Sequence, residues 1–337
     1  EMNLAEKSLP QDGRIRFRHD GKEYDLRTSV LPTTVTAPIA YGESIVMRNM
    51  AMTAVRQDLD LLGADGKQMD TVRHWLDRSG GMILATGPTG AGKTTLLYSC
   101  LHEIDTMKKK VFTIEEPVEY PIADVVQTQT NRRVGMTFAA ALRSVLRHDP
   151  DVILCGEMRD LETAEHAIEA ALTGHLLLST LHTEDAPSAL LRLVDMGIQR
   201  YLVSATVSGV VAQRLVRRLC PHCKTAAASE ETAALLEKVR PLAEMGGYRI
   251  PDGAALYTAV GCDRCRRAGY QGRIGLFEIL SCNPRLVEHL LKCHSNEEMT
   301  RLAVSLGMRT LLADGVSKAV EGETTLDEVL RATATWL

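Results

Sequence analysis

Gly87-Pro88-Thr89-Gly90-Ala91-Gly92-Lys93-Thr94 decides how this chain is read. The stretch satisfies G-x-x-x-x-G-K-[ST] at every position, and its surroundings fit: the apolar run 81–86 before it reads as a strand and 93–104 after it as a helix. Glycines at such a turn let backbone N–H groups converge on phosphate oxygens, and the helix N-terminus adds partial positive charge. Lys93 is expected to reach the β- and γ-phosphates of a bound nucleotide, and Thr94 to hold Mg²⁺. The competing reading, a plain glycine-rich turn, leaves the flanking strand and helix unexplained.

Outward from this loop, strands and helices alternate. Helix 69–78 leads into strand 81–86. After a basic turn at Lys108, Lys109 and Lys110 come strand 111–114, helix 138–147, strand 151–155, helix 162–172 and strand 176–180. This alternation predicts an α/β fold, a mostly parallel sheet with helices on both faces. Asp151-Val152-Ile153-Leu154-Cys155-Gly156-Glu157 is an apolar strand ending in a carboxylate. Ligands of parallel sheets sit at the carboxyl ends of strands, so Glu157 is expected to orient water or a metal-bound water. Glu115, Glu116 and Glu119 follow another strand and suit the same work. His175 and His182 bracket strand 176–180. Either could sense a γ-phosphate or be a satisfied structural histidine.

Eight cysteines are too sparse for a disulfide scaffold. Cys220/Cys223 and Cys262/Cys265 form two C-x-x-C pairs, separated by 38 residues that include a predicted helix, 230–239. Four thiolates suit tetrahedral Zn²⁺ in a closed structural site; a redox pair and an iron–sulfur cluster are the alternatives.

The 337 residues are 45% hydrophobic and 24% charged, which excludes a disordered or fibrous chain and allows two or three domains. A net charge of −4 and 4% aromatics argue against a nucleic-acid partner. No apolar run is long enough to span a bilayer. Residues 1–10 show no signal-peptide pattern, and Met2 behind Glu1 suggests the interior of a longer chain. Ile15, Phe17, the Asp20-Gly21 turn, Tyr24 and Leu26 predict a hairpin. Residues 31–42 read as a Thr/Pro-rich loop, 44–48 as a strand, and the chain from Glu278 onward as helical.

Taken together, these motifs resemble the secretion superfamily of hexameric P-loop ATPases, in particular the type II secretion and type IV pilus assembly ATPases. Residues 87–95 match the family's Walker A, which adds Thr95 to the nucleotide contacts Gly87, Pro88, Thr89, Gly90, Ala91, Gly92, Lys93 and Thr94. Residues 113–120 resemble its Asp box, with Glu116 where aspartate is usual. Residues 142–160 match the Walker B block, 173–183 the His box, 272–278 the segment after the zinc knuckles, and 4–14 part of the second N-terminal domain. The turn 32–42 is longer than is usual in the family, and Ser44 replaces a common arginine.

The resemblance implies a RecA-like core that uses ATP, Mg²⁺ and Zn²⁺. Glu157, Glu115, Glu119, Lys93 and His182 would act in hydrolysis, with Arg27 and Arg48 reaching the nucleotide from the N-terminal domain. Arg143, Arg147 and Arg159 flank the Walker B strand as further candidate arginines. It also implies a cytoplasmic homohexamer, peripheral at the inner membrane. The hexamer would work with a platform protein and a recruitment protein to assemble a pseudopilus or pilus. The first part of the N-terminal domain, which carries docking in the family, lies outside this sequence. A retraction motor normally lacks the four cysteines, a zinc-ribbon nucleic-acid translocase would need a more basic chain, and a non-catalytic scaffold would not need Lys93, Thr94 and Glu157. The expected organisation is a partial α+β domain (1–55), a linker (56–68), the core (69–218), a zinc module (219–272) and a C-terminal helical part of the ATPase domain (273–337).

Overall fold

The computed structural model describes residues 2–3, 5–19, 22–35, 40–51, 58–227, 230–292 and 295–333. Its contacts divide the chain into two units, Glu1–Arg56 with Glu119–Pro121, and Gln57–Val118 with Ile122–Leu337.

The first unit is an antiparallel sheet of β1 (Gln11–His19), β2 (Lys22–Val35) and β3 (Ala40–Ala51), in that order. The predicted hairpin is present: Ile15 lies opposite Leu26, and Phe17 opposite Tyr24, their rings stacked 5.1 Å apart. Its Asp20-Gly21 turn lies outside the described residues. Most of the predicted loop 31–42 is strand instead. β2 continues to Val35 and β3 starts at Ala40, with Pro32 opposite Glu43, while 36–39 lie outside the described residues. β1 pairs with β2 only as far as Val30, so this arm of β2 has one neighbour, where proline is tolerated. The described residues of this unit are all strand or irregular, and the helical part expected of an α+β domain is not among them.

The second unit begins with a 3-10 turn, Leu59–Leu62, in which Leu59 and Leu62 are buried. The end of the span read as a linker is therefore packed; 52–57 lie outside the described residues. There follow α1 (Gly66–Leu76), β4 (Gly81–Thr86), α2 (Lys93–Glu103), β5 (Val111–Glu115), β6 (Val126–Gln129), α3 (Phe138–Val145) and β7 (Val152–Cys155). Next come α4 (Leu161–Leu172), β8 (Leu176–Leu181), α5 (Ala186–Asp195), α6 (Arg200–Thr206) and β9 (Val207–Leu219). The cysteine module holds β10 (Lys224–Ala227), α7 (Glu230–Met245) and β11 (Leu256–Ala259). The chain returns through β12 (Tyr270–Ser281) to α8 (Pro284–Lys292), α9 (Asn296–Ser305), α10 (Leu311–Val320) and α11 (Leu326–Ala332).

One seven-stranded sheet, β12-β9-β4-β8-β7-β5-β6, organises this unit. Every neighbouring pair is parallel except β12 with β9. β7 and β8 are buried along their whole length and β4 along all but its first residue, as strands covered on both faces must be. Side-chain caps start the helices around them: Asp65 on α1, Thr137 on α3, Asp160 on α4 and Asp185 on α5. Among the described residues no helix is long and apolar enough to cross a membrane.

The chain is not yet helical at Glu278, because β12 runs on to Ser281. Glu278 is a buried acid inside a strand, and its carboxylate accepts the N–H of Ala186 at 2.7 Å and of Leu311 at 3.1 Å, the first residues of α5 and α10. Burial pushes its pKa up to about 7. Asp314 likewise accepts the Phe277 N–H at 2.9 Å and pairs with Lys318, which donates to the Gly275 carbonyl at 2.7 Å. These buried polar contacts pin the C-terminal helices to the edge strand.

Packing of β9 on α1 generates a stability test. A Cβ on Gly209 would sit 2.2 Å from Cζ2 of Trp75, a rigid ring that is 2% exposed. Gly209→Ala is expected to destabilise the second unit by about 1–3 kcal/mol, the usual range for overpacking. A urea midpoint equal to that of the unaltered chain would show that this contact yields freely.

Candidate functional site

The loop after β4 turns on glycines because strand β9 leaves no space beside it. A Cβ on Gly87 would lie 2.5 Å from the Gln213 carbonyl oxygen, and one on Gly92 would lie 2.8 Å from the Gln213 Nε2. Both have positive φ, 144° and 96°. Gly92 starts α2 without a side-chain cap, so the N–H groups of the first turn keep no competing partner from the capping residue. Pro88, Thr89, Gly90, Thr94 and Thr95 are exposed around this turn, whereas Gly87, Ala91 and Lys93 are buried.

Lys93 Nζ donates to the carbonyls of Gly87 at 2.5 Å and Pro88 at 3.1 Å and lies 3.5 Å from His182 Nδ1. Burial pulls its pKa down to about 8, against the opposing pull of Glu157. Glu157 Oε2 is 3.6 Å from His182 Nε2, and its Oε1 pairs with Arg159 at 2.5 Å. His182 therefore stands between Lys93 and Glu157, and burial, followed by the nearby Lys93 charge, lowers its pKa. Gly156 keeps this strand end slim, since a Cβ there would meet the Ile114 carbonyl at 3.1 Å.

Other predicted residues lie elsewhere. Glu115 is 4% exposed, and its carboxylate accepts from Tyr98, from Thr113 at 2.5 Å and from Gln127 at 3.2 Å. Glu116 pairs with Arg132 at 3.1 Å, and Glu119 groups with the first unit. His175 sits at the opposite end of β8 from His182 and bonds Thr173 Oγ1 and the Ala170 carbonyl, a local helix-end role. Arg27 and Arg48 face each other across β2 and β3 of the first unit. Arg143 pairs with Glu162, and Arg147 donates to the Arg143 carbonyl, both at 2.9 Å.

Sequence reasoning missed three residues that hold the site. Thr86 and Thr183 join hydroxyls at 2.7 Å, and the Thr183 N–H donates to Thr86 Oγ1 at 2.9 Å, which ties the residue after His182 to the P-loop strand. Arg214 donates to the Gln213 carbonyl at 3.0 Å and to the Glu184 carbonyl at 2.7 Å. The only available signal for Arg214 was its place on a strand that had not been recognised.

Cys220, Cys223, Cys262 and Cys265 converge with all four sulfurs within 4.8 Å of one another. Three of the separations are 4.0, 3.8 and 3.8 Å. A tetrahedron with edges of about 3.8 Å has its centre about 2.3 Å from each corner, the Zn–S distance. The N–H groups of Cys262 and Gly269 both donate to Cys265 Sγ at 3.2 Å, and these bonds, the Cys262 one first, pull its pKa down to about 6. The donor set fits a thiolate-bound metal. Cys100 and Cys155 are buried free thiols, whose pKa burial pushes up to about 12.

The family model described as type II/IV secretion system protein matches residues 1–331. The chain is 43% identical over 334 residues to the type IV pilus assembly ATPase PilB of Myxococcus xanthus, covering 99% of this chain and 57% of that protein. It is also 43% identical over 336 residues to the type II secretion system ATPase E of Vibrio cholerae, covering 99% of this chain and 63% of that protein. The chain thus spans 57% and 63% of the length of these two relatives. In fold it is similar to the Legionella pneumophila ATPase DotB, with a TM-score of 0.70 and 22% identity over 98% of this chain and 78% of that one. With its family model matched nearly end to end and two relatives aligned over almost all of its length, the chain belongs to the type II/IV secretion system protein family.

Proposed function

We propose that this chain is the motor portion of an ATPase that drives pilus or pseudopilus assembly. The observation that carries this reading is the convergence of Lys93, His182 and Glu157 beside the P-loop. In it Lys93 holds the β- and γ-phosphates, Thr94 binds Mg²⁺, and Thr95 with the loop N–H groups cradles the phosphate tail. Glu157 polarises the attacking water, and His182 links that carboxylate to the lysine. Phosphoryl transfer is mostly positioning and charge stabilisation, which such a fixed constellation supplies. Glu115 is already committed to three donors, so it braces the strand end. Arg27 and Arg48 couple turnover to the first unit.

The names of the relatives support assembly or secretion as the task, and the four-cysteine cluster favours assembly over retraction. The motor works as a homohexamer on the cytoplasmic side of the inner membrane, with a platform protein and a recruitment protein. The cysteines hold one structural Zn²⁺, which makes their segment rigid without a part in hydrolysis.

The first test is Glu157→Gln. ATP binding is expected to persist while turnover falls by about 10²-fold or more, the usual weight of a positioned base. Lys93→Ala is expected to lose hydrolysis altogether. Normal turnover by Glu157→Gln would remove Glu157 as the base and leave Glu119 as the candidate.

The Lys93 pKa sets a pH dependence. Because its pKa is lowered to about 8, the ammonium is charged at pH 7 and mostly neutral at pH 9. ATP affinity is expected to weaken about tenfold between these values, in proportion to the protonated fraction. Lys93→Arg should flatten the dependence. Fluorescent-nucleotide titration checks this, and an affinity that does not change with pH contradicts it.

The metal is tested by elemental analysis of the purified chain, with one zinc per chain expected. Cys223→Ser is expected to loosen the segment from Leu219 to Gly272 and leave ATP binding by the core intact. Less than about a tenth of an equivalent, with the thiols intact and the module folded, would refute a high-affinity structural site.

A further inference from the structure

Strand β9 sets a second cation against the P-loop. A Cβ on Gly87 would lie 3.1 Å from Nη1 of Arg214, a half-buried side chain, and the Lys93 ammonium rests on the carbonyl of this same glycine. Arg214 Nη1 donates to the Gln213 carbonyl at 3.0 Å and Nη2 to the Glu184 carbonyl at 2.7 Å, so its bonds go to neutral oxygens. Three acids are near enough to act on its charge, Glu184, Glu278 and Asp185, yet among the described residues none bonds to the guanidinium through its carboxylate. The Glu278 carboxylate is taken by the N–H groups of Ala186 and Leu311, that of Asp185 by Ser188 and Asn296, and Glu184 is met only at its backbone.

The other arginines of this strand are treated differently. Arg217 pairs with Glu328 at 2.8 Å and Arg218 with Glu323 at 2.7 Å. Arg214 has been drawn from water without such a partner, and burial lowers its pKa, although a guanidinium stays charged in any case. A desolvated charge is costly until an opposite charge meets it. Here two such cations share one glycine. Burial lowers the Lys93 pKa and the Arg214 charge adds to that, so the two act on each other. An anion carrying several charges relieves both at once.

We infer that Arg214 is a further phosphate-contacting residue of the nucleotide site, a second cation that meets the polyphosphate beside Lys93. The inference rests on the ATPase reading proposed above. Lys93 offers a point charge, whereas a guanidinium adds a planar fork that matches phosphate oxygens and has N–H groups to spare beyond the two already used. A side chain needed only to staple β9 to the loop after β8 would work equally well as a neutral donor, because both acceptors are neutral carbonyls.

The test measures calorimetric binding of MgADP and of magnesium pyrophosphate, together with kcat, in the full chain. The variants are Arg214→Ala, Arg214→Gln and Arg214→Lys, with Lys93→Ala as the site control and Arg218→Ala as the strand control. Arg214→Ala is expected to weaken both ligands by about tenfold or more, the usual weight of a hydrogen bond to a charged group. Arg214→Gln keeps an N–H for the Glu184 carbonyl but no charge, and should bind no better than Arg214→Ala. Arg214→Lys keeps the charge and should recover part of the loss. Arg218→Ala should stay within about twofold of the unaltered chain. Should the Tm show Arg214→Ala to be unfolded, Arg214→Gln against Arg214→Lys gives the same answer.

Unchanged affinity in the Arg214 variants, with binding lost in Lys93→Ala, would overturn the inference and leave the ATPase reading standing. Full recovery by Arg214→Gln would assign a neutral brace and overturn it too. A loss confined to MgADP, with pyrophosphate held normally, would place the guanidinium on the nucleoside and refute the phosphate contact. A fall in kcat with both affinities intact would make Arg214 a positioning residue acting through Glu184 on the His182 loop, which also refutes it. An unaltered chain that binds neither ligand would sink the ATPase reading and the inference together.

Discussion

The level, parallel register of β4, β8 and β7 is the constraint on which the core depends. Thr86 lies opposite Leu181, and Ser179 opposite Cys155. β7 stops two residues short of the other two, which brings Glu157 level with Leu181 and Thr86, and strands that run the same way release their following residues at one edge. The P-loop, Glu157 and His182 therefore meet without any of the three having to be reached by a long loop. Further bonds lock the ends together. Thr180 Oγ1 donates to the Gly156 carbonyl at 2.7 Å, and the Met158 N–H donates to the Thr180 carbonyl at 3.1 Å. A constellation held by strand ends is positioned more tightly than one carried on mobile loops.

Strand β9 adds a second restraint. Its Gln213 lies against both Gly87 and Gly92, so packing alone already requires glycine at these two P-loop positions. The Gln213 Oε1 is buried with no hydrogen-bond partner among the described residues. From the next position Arg214 reaches across to the Glu184 carbonyl. The loop after β8 is thus held from two sides, by Thr86 through Thr183 and by Arg214 through Glu184, and His182 sits just before both attachments.

What could be read from the sequence follows from how local the signal was. β4 was read residue for residue and α4 to within one residue, because each is a buried apolar run or an acid-capped amphipathic run with glycine close by. β9 and β12 were not separated from their surroundings. They pair with each other across the whole cysteine module, and a short apolar stretch such as Gly209–Ala212 has no period that distinguishes strand from buried helix. Glu278 misled for the same reason, since the two helix N-termini that satisfy it are 92 and 33 residues away. The fully hydrogen-bonded setting of Glu115 was equally out of reach, because its donors come from α2, β5 and β6. At 31–42 threonine and proline suggested a loop, where strand pairing overrode local preference.

Net charge describes this molecule poorly, because the electrostatics that matter are local. A total of −4 coexists with a half-buried arginine and a buried lysine that share Gly87 of the P-loop. Lys93 has already lost much of its hydration, and its ammonium rests on two neutral carbonyls. Exchanging those for phosphate oxygens replaces hydrogen bonds with one charged partner by hydrogen bonds in which both partners are charged. Since the desolvation belongs to the folded chain and not to the binding event, most of that gain goes into holding the anion. Under the proposed function the exchange draws the ammonium off the Gly87 and Pro88 carbonyls, and His182, 3.5 Å from Nζ and 3.6 Å from Glu157, is the group placed to pass that shift to the carboxylate. Under the proposed function, the arrival of the phosphate tail and the readiness of Glu157 are thereby one event.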